Sequence, residues 1–416
     1  MLKKKIKSWG FIKDPIHGYI TISEEDKKLI DTREFQRLHR IKQLPLADYV
    51  YPGAVHTRFE HSLGVMHLAT SIMENLPLEI DEEEAKLIRT ASLLHDIGHG
   101  PFSHLFESIT LSKLNMNHEE IGKRIISESQ ISDILKDLSI EPLNIGYIIT
   151  GERVFLRKFL HQITNSGIDA DKLDFIKRDN YHSGAGYGGI DVDRLVNTME
   201  VFNDELSVNS TALLTFELFI MARIKSFEAI YYHKTIRAAQ LLLLKGIEKT
   251  FEEFGFMNSF NVEEYLSLDD YRLWIEIGRS KEGKKYLEKL ERRDLLKNVY
   301  ERKFLVRHKK EELMKMVDEI KHEIAKNSEV SSESIFVDLS ILPSVPYHNA
   351  YVSDPLEIPI FDVKKNKIDK FSSYSPWITS LKGYLNILRI YTYKELRDRV
   401  SNVCQRILEK YPLEFS

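Results

Sequence analysis

The stretch Ala91-Ser92-Leu93-Leu94-His95-Asp96-Ile97-Gly98-His99-Gly100-Pro101-Phe102-Ser103-His104 sets three histidines and an aspartate behind an apolar run and closes with Gly and Pro punctuation. Residues 83–97 carry the apolar spacing of a helix that is buried by its end, and Gly98 and Gly100 then loosen the backbone. On that helix His95 and His99 are four apart and share a face, with Asp96 about 100° round, near enough to lean onto the same ion. Imidazole plus carboxylate suits a borderline or hard divalent cation such as Fe, Mn, Zn or Mg. A lone His-Asp pair beside apolar residues is more often a satisfied core or capping pair. Company changes that balance. His56, Arg58, Glu60 and His61 lie upstream within residues 53–64, and Asp169, Asp171 and Asp174 lie downstream within residues 167–175. Four separated ligands could then close one site.

The rest of the chain has room for a large core around this cluster. Its 416 residues are 43% hydrophobic, enough for two or three globular domains. A formal charge of −4 predicts no general affinity for polyanions, so phosphate binding must come from local clusters. The single cysteine, Cys404, excludes an intrachain disulfide framework, fits a reducing compartment and reads as a buried small hydrophobe. The basic N-terminus is not followed by the apolar segment of a leader, and no 18-residue apolar run occurs, so a soluble, cytoplasmic protein with no membrane partner is expected.

In chain order, residues 11–22 alternate apolar and polar around Pro15 and Gly18 as a short hairpin does. Ser23 caps a helix with Asp26 in its first turn, residues 33–44 form another, and residues 62–76 and 83–97 read as amphipathic helices. Residues 117–137 and 154–163 look helical too. The segment 183–189, rich in Gly and Tyr, lacks the Lys-Ser/Thr ending of a P-loop and the order GxGxxG, and reads as a connector. Residues 212–253 form a long helical region with a polar insert at 223–234, and residues 260–328 are charged and helical, with solvated runs such as Arg307-His308-Lys309-Lys310. Beyond 330 the composition shifts: residues 334–339, 358–363 and 386–393 read as strands and 394–411 as a final helix.

The constellation resembles the HD-domain phosphohydrolases, whose signature is a His, a His-Asp pair and a distant Asp around one metal. Here these match His61, His95-Asp96 and Asp171. Asp14-Pro15-Ile16-His17-Gly18, Phe35-Gln36-Arg37-Leu38, Ile41-Lys42-Gln43-Leu44, residues 58–65, 95–104 and 167–172 are similar, in that order, to the deoxynucleoside triphosphate (dNTP) triphosphohydrolases of that group. The similarity covers roughly residues 10–240. It implies an HD-domain helical bundle, and together with the helical pattern and the composition shift near 330 the expected fold is mainly α: the HD bundle over 1–245, a helical extension over 246–330 and a small C-terminal α/β subdomain over 331–416.

It also implies a chemistry. A divalent metal (Fe, Mn, Zn, Mg or Co) is expected on His61, His95, Asp96 and Asp171, leaving coordination positions for water and phosphate. Arg58 is expected on the α-phosphate and Lys172 on the phosphate chain. His104 is expected as proton donor, with His99 holding phosphate and His118 with Glu107 as a supporting relay, although the family usually has Asp where Glu107 stands. Sugar and base selection fall to Gln43, Leu44, Asp179, Arg223, Tyr231 and His233, the bulk of Tyr231 excluding a 2′-hydroxyl; steric exclusion of that kind is worth on the order of 1–3 kcal/mol. Phe175 and Tyr232 depart from the residues of the vertebrate relatives. A guanine-nucleotide activator site is implied near the hairpin, where Asp31 and Gln36 match and His39 and Gly10 do not, and Asp31 also reads as a helix-capping residue. A homo-oligomer, dimer or tetramer, is implied as well. Two rival readings keep parts of this: a phosphatase for other nucleotides or phosphoesters, and a catalytically idle nucleotide-sensing scaffold.

Overall fold

A computed structural model describes residues 7–152, 156–255, 259–306, 310–343, 358–379 and 384–411. The fold is mainly α-helical, as expected, with small sheets. Among the described residues the chain divides into two compact units, one drawn from Met1–Ser226, Gly255–Ile275 and Tyr347–Thr379, the other from Phe227–Phe254, Glu276–Pro346 and Ser380–Ser416.

In the first unit the hairpin is present: Gly10–Asp14 pairs antiparallel with Gly18–Ile22, and Asp14 faces Gly18 across the turn. Ser23 then caps Glu24–Ile30 in a reciprocal box with Asp26. Residues 33–44 are not one helix. A single turn, Arg33–Gln36, passes into a 3₁₀ turn, Arg37–Arg40, and the backbone straightens at Ile41. Tertiary partners take the groups a helix would have used: the Asp270 carboxylate accepts from the Lys42 N–H, Arg58 N–H donates to the Ile41 carbonyl, and Gln43 N–H to the His56 carbonyl.

The helix Arg58–Asn75 is buried around most of its circumference, not along one face, because Glu82–Leu94 and Ala170–Ser183 both pack on it. Burying side chains such as Leu63, Met66 and Ile72 contributes about 1.5–3 kcal/mol each. The helix Glu82–Leu94 starts at the Asp81 cap with three glutamates in its first turn. It stops at Leu94, short of the expected 97: the N–H groups of Ile97 and His99 bond three residues back, to Leu94 and Asp96. Here the chain passes so close to its neighbour that a Cβ on Gly98 would lie 2.0 Å from the His118 carbonyl oxygen. His95 and His99 therefore do not share a helix face.

The stretch 117–137, read as helical, holds two helices, His118–Glu128 and Gln130–Asp137, the Ser129 side chain capping the second. Lys158–Thr164 is helical, whereas residues 154 and 155 lie outside the described residues. Of the segment 183–189, Ser183 ends the helix Ala170–Ser183 and residues 184–189 are a loop. A four-stranded sheet, Met199–Phe202, Glu205–Asn209, Pro359–Asp362 and Lys367–Lys370 in that order, takes in the strand read at 358–363 and three short strands that carry no such pattern.

The second unit contains the helices Lys234–Phe254 and Lys284–Glu291 and a three-stranded antiparallel sheet with Tyr384–Thr392 between Lys297–Val306 and Ile335–Pro343. Lys297–Val306 lies in the stretch expected to be all helical; its pairing partner is far along the chain, so no local spacing marks it. The run Arg307–Lys309 falls outside the described residues. Lys310–Ser328 and Arg397–Leu408 pack on the sheet through Ile320, Ile324, Val400 and Ile407. Cys404 is buried in this core as a free thiol, and burial pushes its pKa up to about 12, so it serves as a small hydrophobe. Among the described residues no helix is long and apolar enough to cross a membrane.

Candidate active site

Three elements of the first unit bring their polar residues together: the start of Arg58–Asn75 supplies Arg58 and His61, the turn after Leu94 supplies His95, Asp96 and His99, and the first turn of Ala170–Ser183 supplies Asp171. Ligand atoms of His61, His95 and Asp171 all lie within 4.8 Å of one another. His61 Nε2 is 3.3 Å from His95 Nε2, 3.0 Å from Asp171 Oδ1 and 3.7 Å from Asp96 Oδ2. His95 Nε2 is 3.4 Å from Asp96 Oδ1.

The other ring nitrogens decide what this convergence means. His61 Nδ1–H donates to Asp174 Oδ2 at 2.8 Å and His95 Nδ1–H to the Ser92 carbonyl at 2.9 Å, both partners being acceptors. Both Nε2 lone pairs are thereby turned towards each other and towards a carboxylate. Such an arrangement needs a positive charge in its midst, either a proton or a cation. Burial works against a proton on His61, but Asp171 and Asp174 carry its pKa up to about 10. Two imidazoles with two hard oxygens also fit a divalent cation, which would replace that proton. Burial likewise opposes the charge of Asp96, yet Arg58 and the histidines hold its carboxyl well below the usual range.

Arg58 is tied in place. Its Nη1 donates to Asp96 Oδ2 at 2.7 Å and its Nε to Ser103 Oγ at 2.9 Å, while Ser103 Oγ donates to the Lys42 carbonyl at 2.7 Å. Phe102 and Ser103 both have positive φ, 57° and 52°, a strained pair held where the loop meets the site. Lys172 Nζ donates to Asp169 Oδ2 at 2.5 Å and stands 4.0 Å from Asp171 Oδ2.

A second histidine group adjoins the first. Glu107 accepts from His118 Nδ1 at 2.5 Å with one oxygen and from His104 Nδ1 at 2.9 Å with the other, so one carboxylate orients both rings. Burial would raise the Glu107 pKa, but His118 and His104 drive it far below the usual range; burial would lower that of His118, and Glu107 raises it. His104 keeps 64% of its side chain exposed. His99 is buried, its Nε2 is 3.3 Å from Asp96 Oδ1, and burial followed by Arg58 and His118 keeps it neutral. Nitrogens of His99, His104 and His118 also fall within 4.8 Å of one another. However, the rings of His99 and His118 stack 4.0 Å apart and 14° from parallel, so their in-plane lone pairs run side by side instead of converging on one point, which does not suit gripping a single ion.

The remaining expected residues are distributed as follows. Asp179 is buried and accepts from His56 Nε2 at 2.7 Å, His56 itself accepting from the Gln43 N–H through its carbonyl. Gln43, Leu44 and Arg223 are buried, and Gln43 Oε1 has no hydrogen-bond partner among the described residues. Tyr231 closes the π-helical turn Phe227–Tyr231 and His233 precedes Lys234–Phe254, both in the second unit; there Arg389 donates to the Tyr232 carbonyl at 2.6 Å and the Tyr391 hydroxyl to that of Lys234 at 3.0 Å. Asp31 ends the helix Glu24–Ile30 and accepts from Lys27 at 2.5 Å, and Gln36 donates to the Ile30 carbonyl at 3.0 Å. The reading from sequence gave no role to Asp174, His17, Arg178 and Ser103. Asp174 and Arg178 stand four apart on one helix, a spacing that was open to notice.

With that geometry in hand, comparisons agree on a family. Residues 58–174 match the HD domain and residues 190–411 the HD associated region. A Methanocaldococcus jannaschii protein named only as uncharacterised is 31% identical over 95% of this chain and 82% of its own length. The deoxynucleoside triphosphate triphosphohydrolase SAMHD1 homolog of Dictyostelium discoideum is 32% identical over 76% of this chain, which spans 61% of it. The crystal structure of a hypothetical Aquifex aeolicus protein superposes with a TM-score of 0.78 at 28% identity, covering 94% of this chain and 98% of that one.

Proposed function

Because the chain belongs to the HD-domain phosphohydrolase family, we propose that it hydrolyses dNTPs to deoxynucleoside and inorganic triphosphate, with a divalent metal on His61, His95, Asp96 and Asp171. The observation that carries this reading is the pair of Nε2 lone pairs, locked from behind and turned onto Asp171 and Asp96, next to an exposed histidine backed by a carboxylate. A divalent cation held there supplies Lewis acidity, lowering the pKa of water and offsetting phosphate charge.

The protein's own groups do the rest. Arg58 and Lys172 face the phosphates with their charge. His104 gives its Nε2 proton to the departing 5′-oxygen, and Glu107, accepting at Nδ1, fixes the ring for that transfer. His118 shares that carboxylate, and neutral His99 offers phosphate a hydrogen bond without a charge. Gln43 and Asp179 serve the sugar, with Leu44 and Arg223 beside sugar and base. The buried, unpartnered Gln43 Oε1 supports a polar ligand there.

Regulation by a nucleotide belongs to the same reading. Asp31 and Gln36 are candidates near the hairpin, and in the second unit a cavity of about 350 Å³ lined by Lys234, Arg293, Lys297 and Arg397 favours an anionic effector. A homo-oligomer in the cytoplasm completes the proposal.

The test is chromatographic product analysis of wild type and a His95→Ala/Asp96→Ala variant with each dNTP and NTP in Mg and Mn. Deoxynucleoside plus triphosphate, lost in the variant, is expected. Mono- or diphosphate products would instead favour a phosphatase for other nucleotides or phosphoesters, and tight dNTP binding with no turnover an idle sensor.

A further inference from the structure

Asp174 is fully buried, lies on the same helix as Asp171, and the proposed chemistry makes no use of it. Its Oδ2 accepts from His61 Nδ1 at 2.8 Å and from Arg178 Nε at 2.8 Å, and its Oδ1 accepts from His17 Nε2 at 2.6 Å and from Arg178 Nη2 at 2.9 Å. Arg178 then donates through Nη1 to Asp14 Oδ2 at 2.7 Å. The other oxygen of Asp14 accepts the backbone N–H groups of Ile16 and His17, each at 2.8 Å.

These contacts close on themselves. Asp14 fixes the hairpin turn that carries His17, His17 holds Asp174, Asp174 holds Arg178, and Arg178 returns to Asp14. The ring is packed without slack: a Cβ on Gly64 would lie 2.0 Å from Asp174 Oδ1 and 2.5 Å from Arg178 Nη2. All of its members are in the first unit.

His61 joins this ring through Asp174. Arg178 forks onto both oxygens of this carboxylate and is itself placed by Asp14, while His17 adds a second bond to the oxygen that His61 does not use. The hairpin therefore holds Asp174 twice, directly through His17 and through Asp14 and Arg178, and the direction of the His61 Nε2 lone pair is set from the hairpin. We propose that the turn Asp14–Gly18 is a working part of the metal centre: His17 and Asp14 are positioning residues that orient His61 through Asp174 and so set the affinity for a divalent cation. This rests on the reading of His61 as a metal ligand. It does not depend on the identity of the substrate.

The test is calorimetric titration of Mn²⁺ into the metal-free full chain, for wild type, His17→Phe, His17→Gln and Asp14→Asn, with thermal melts of the metal-free proteins and the visible spectrum of the Co²⁺ forms. A carboxylate that bonds a ligand directly is worth about 10–100-fold in affinity; His17 stands one step further out, so His17→Phe should loosen Mn²⁺ by about tenfold. His17→Gln, whose side-chain amide can donate towards Asp174, should recover most of that loss, and the Co²⁺ spectrum of His17→Phe should shift while its metal-free melt stays near wild type. Mn²⁺ affinity at the wild-type level in His17→Phe overturns the proposal. Equal loss in His17→Phe and His17→Gln together with a lowered metal-free melt assigns the residue to folding alone and also overturns it. If His17→Phe does not fold, Asp14→Asn decides by the same readouts. Wild type that binds no Mn²⁺ removes the metal reading itself, whereas wild type that binds Mn²⁺ but releases no triphosphate leaves this inference standing.

Discussion

The two histidine groups meet at Asp96, whose Oδ1 is 3.4 Å from His95 Nε2 and 3.3 Å from His99 Nε2, yet they are built by opposite rules. In the first, His61 is wholly buried, and the rings of His61 and His95 are each fixed from behind by a separate acceptor. In the second, a single Glu107 serves both His104 and His118, and His104 is largely exposed. The difference follows from what each group has to do. A ligand must keep a lone pair aimed at one point, so it needs a rigid second contact. A proton donor must reach a substrate and exchange with water, so it needs exposure and a partner that holds its ring in place.

Separating the two groups gives the largest expected effect. His104→Gln keeps a polar side chain but cannot donate a titratable proton, and its kcat should fall by roughly 10²–10⁴-fold, the usual worth of a positioned general acid. Mn²⁺ affinity, measured by titration calorimetry, should stay at the wild-type level because no first-group contact is touched. A parallel fall in metal affinity would show that the two groups act as one and would break the comparison.

Glu107 offers a smaller and sharper cut. Shortening it by one methylene in Glu107→Asp leaves a carboxylate that reaches one histidine well but not both. A His104 ring left free to turn presents its Nε2 proton to the leaving oxygen for only part of the time, so kcat should fall by about tenfold, a fraction of the roughly 10²–10⁴-fold worth of a positioned general acid, while Mn²⁺ affinity stays at the wild-type level. An unchanged kcat would mean that His118, not His104, is the partner Glu107 serves.

Much of this was legible in the chain itself. The run around His95-Asp96 marked the cluster, the resemblance to the HD-domain phosphohydrolases singled out His61 and Asp171 among its possible companions, and the hairpin and the cap at Ser23 followed from alternation and turn chemistry. Helix ends were harder, because they are set by distant groups. Asp270 takes the Lys42 N–H that a helix over 33–44 would have used, and the close pass of His118 against Gly98 ends the regular helix before His95. The strand Lys297–Val306 depends on a partner far along the chain. The ring through Asp14, His17, Asp174 and Arg178 was out of reach for the same reason: its hydrogen bonds cross from the hairpin to a helix more than a hundred residues later. Local pattern names residue types; tertiary approach decides which of them touch.

Asp270 gives the smallest effect and the cleanest sign. Its carboxylate is buried and accepts the N–H groups of Phe102 at 2.6 Å and Lys42 at 3.0 Å, which places it behind the strained loop that carries His104 and away from the metal ligands. Burial raises its pKa, the two N–H groups and the Lys42 charge oppose that, and the result is about 7. The native state therefore holds a proton here that the unfolded chain releases above its ordinary value, so stability is greatest below about pH 4 for this group and is lost as pH rises towards 7. Asp270→Asn cannot titrate and keeps one acceptor oxygen. The difference in unfolding free energy, wild type minus variant, should accordingly fall between pH 5 and 7.5 by an amount on the order of 1–3 kcal/mol and level off above that. Urea unfolding of both proteins across that range measures it. Mn²⁺ affinity should not follow the same curve; if it does, the loop clamped by Asp270 also supports the first group, and the two groups are less separate than their contacts make them.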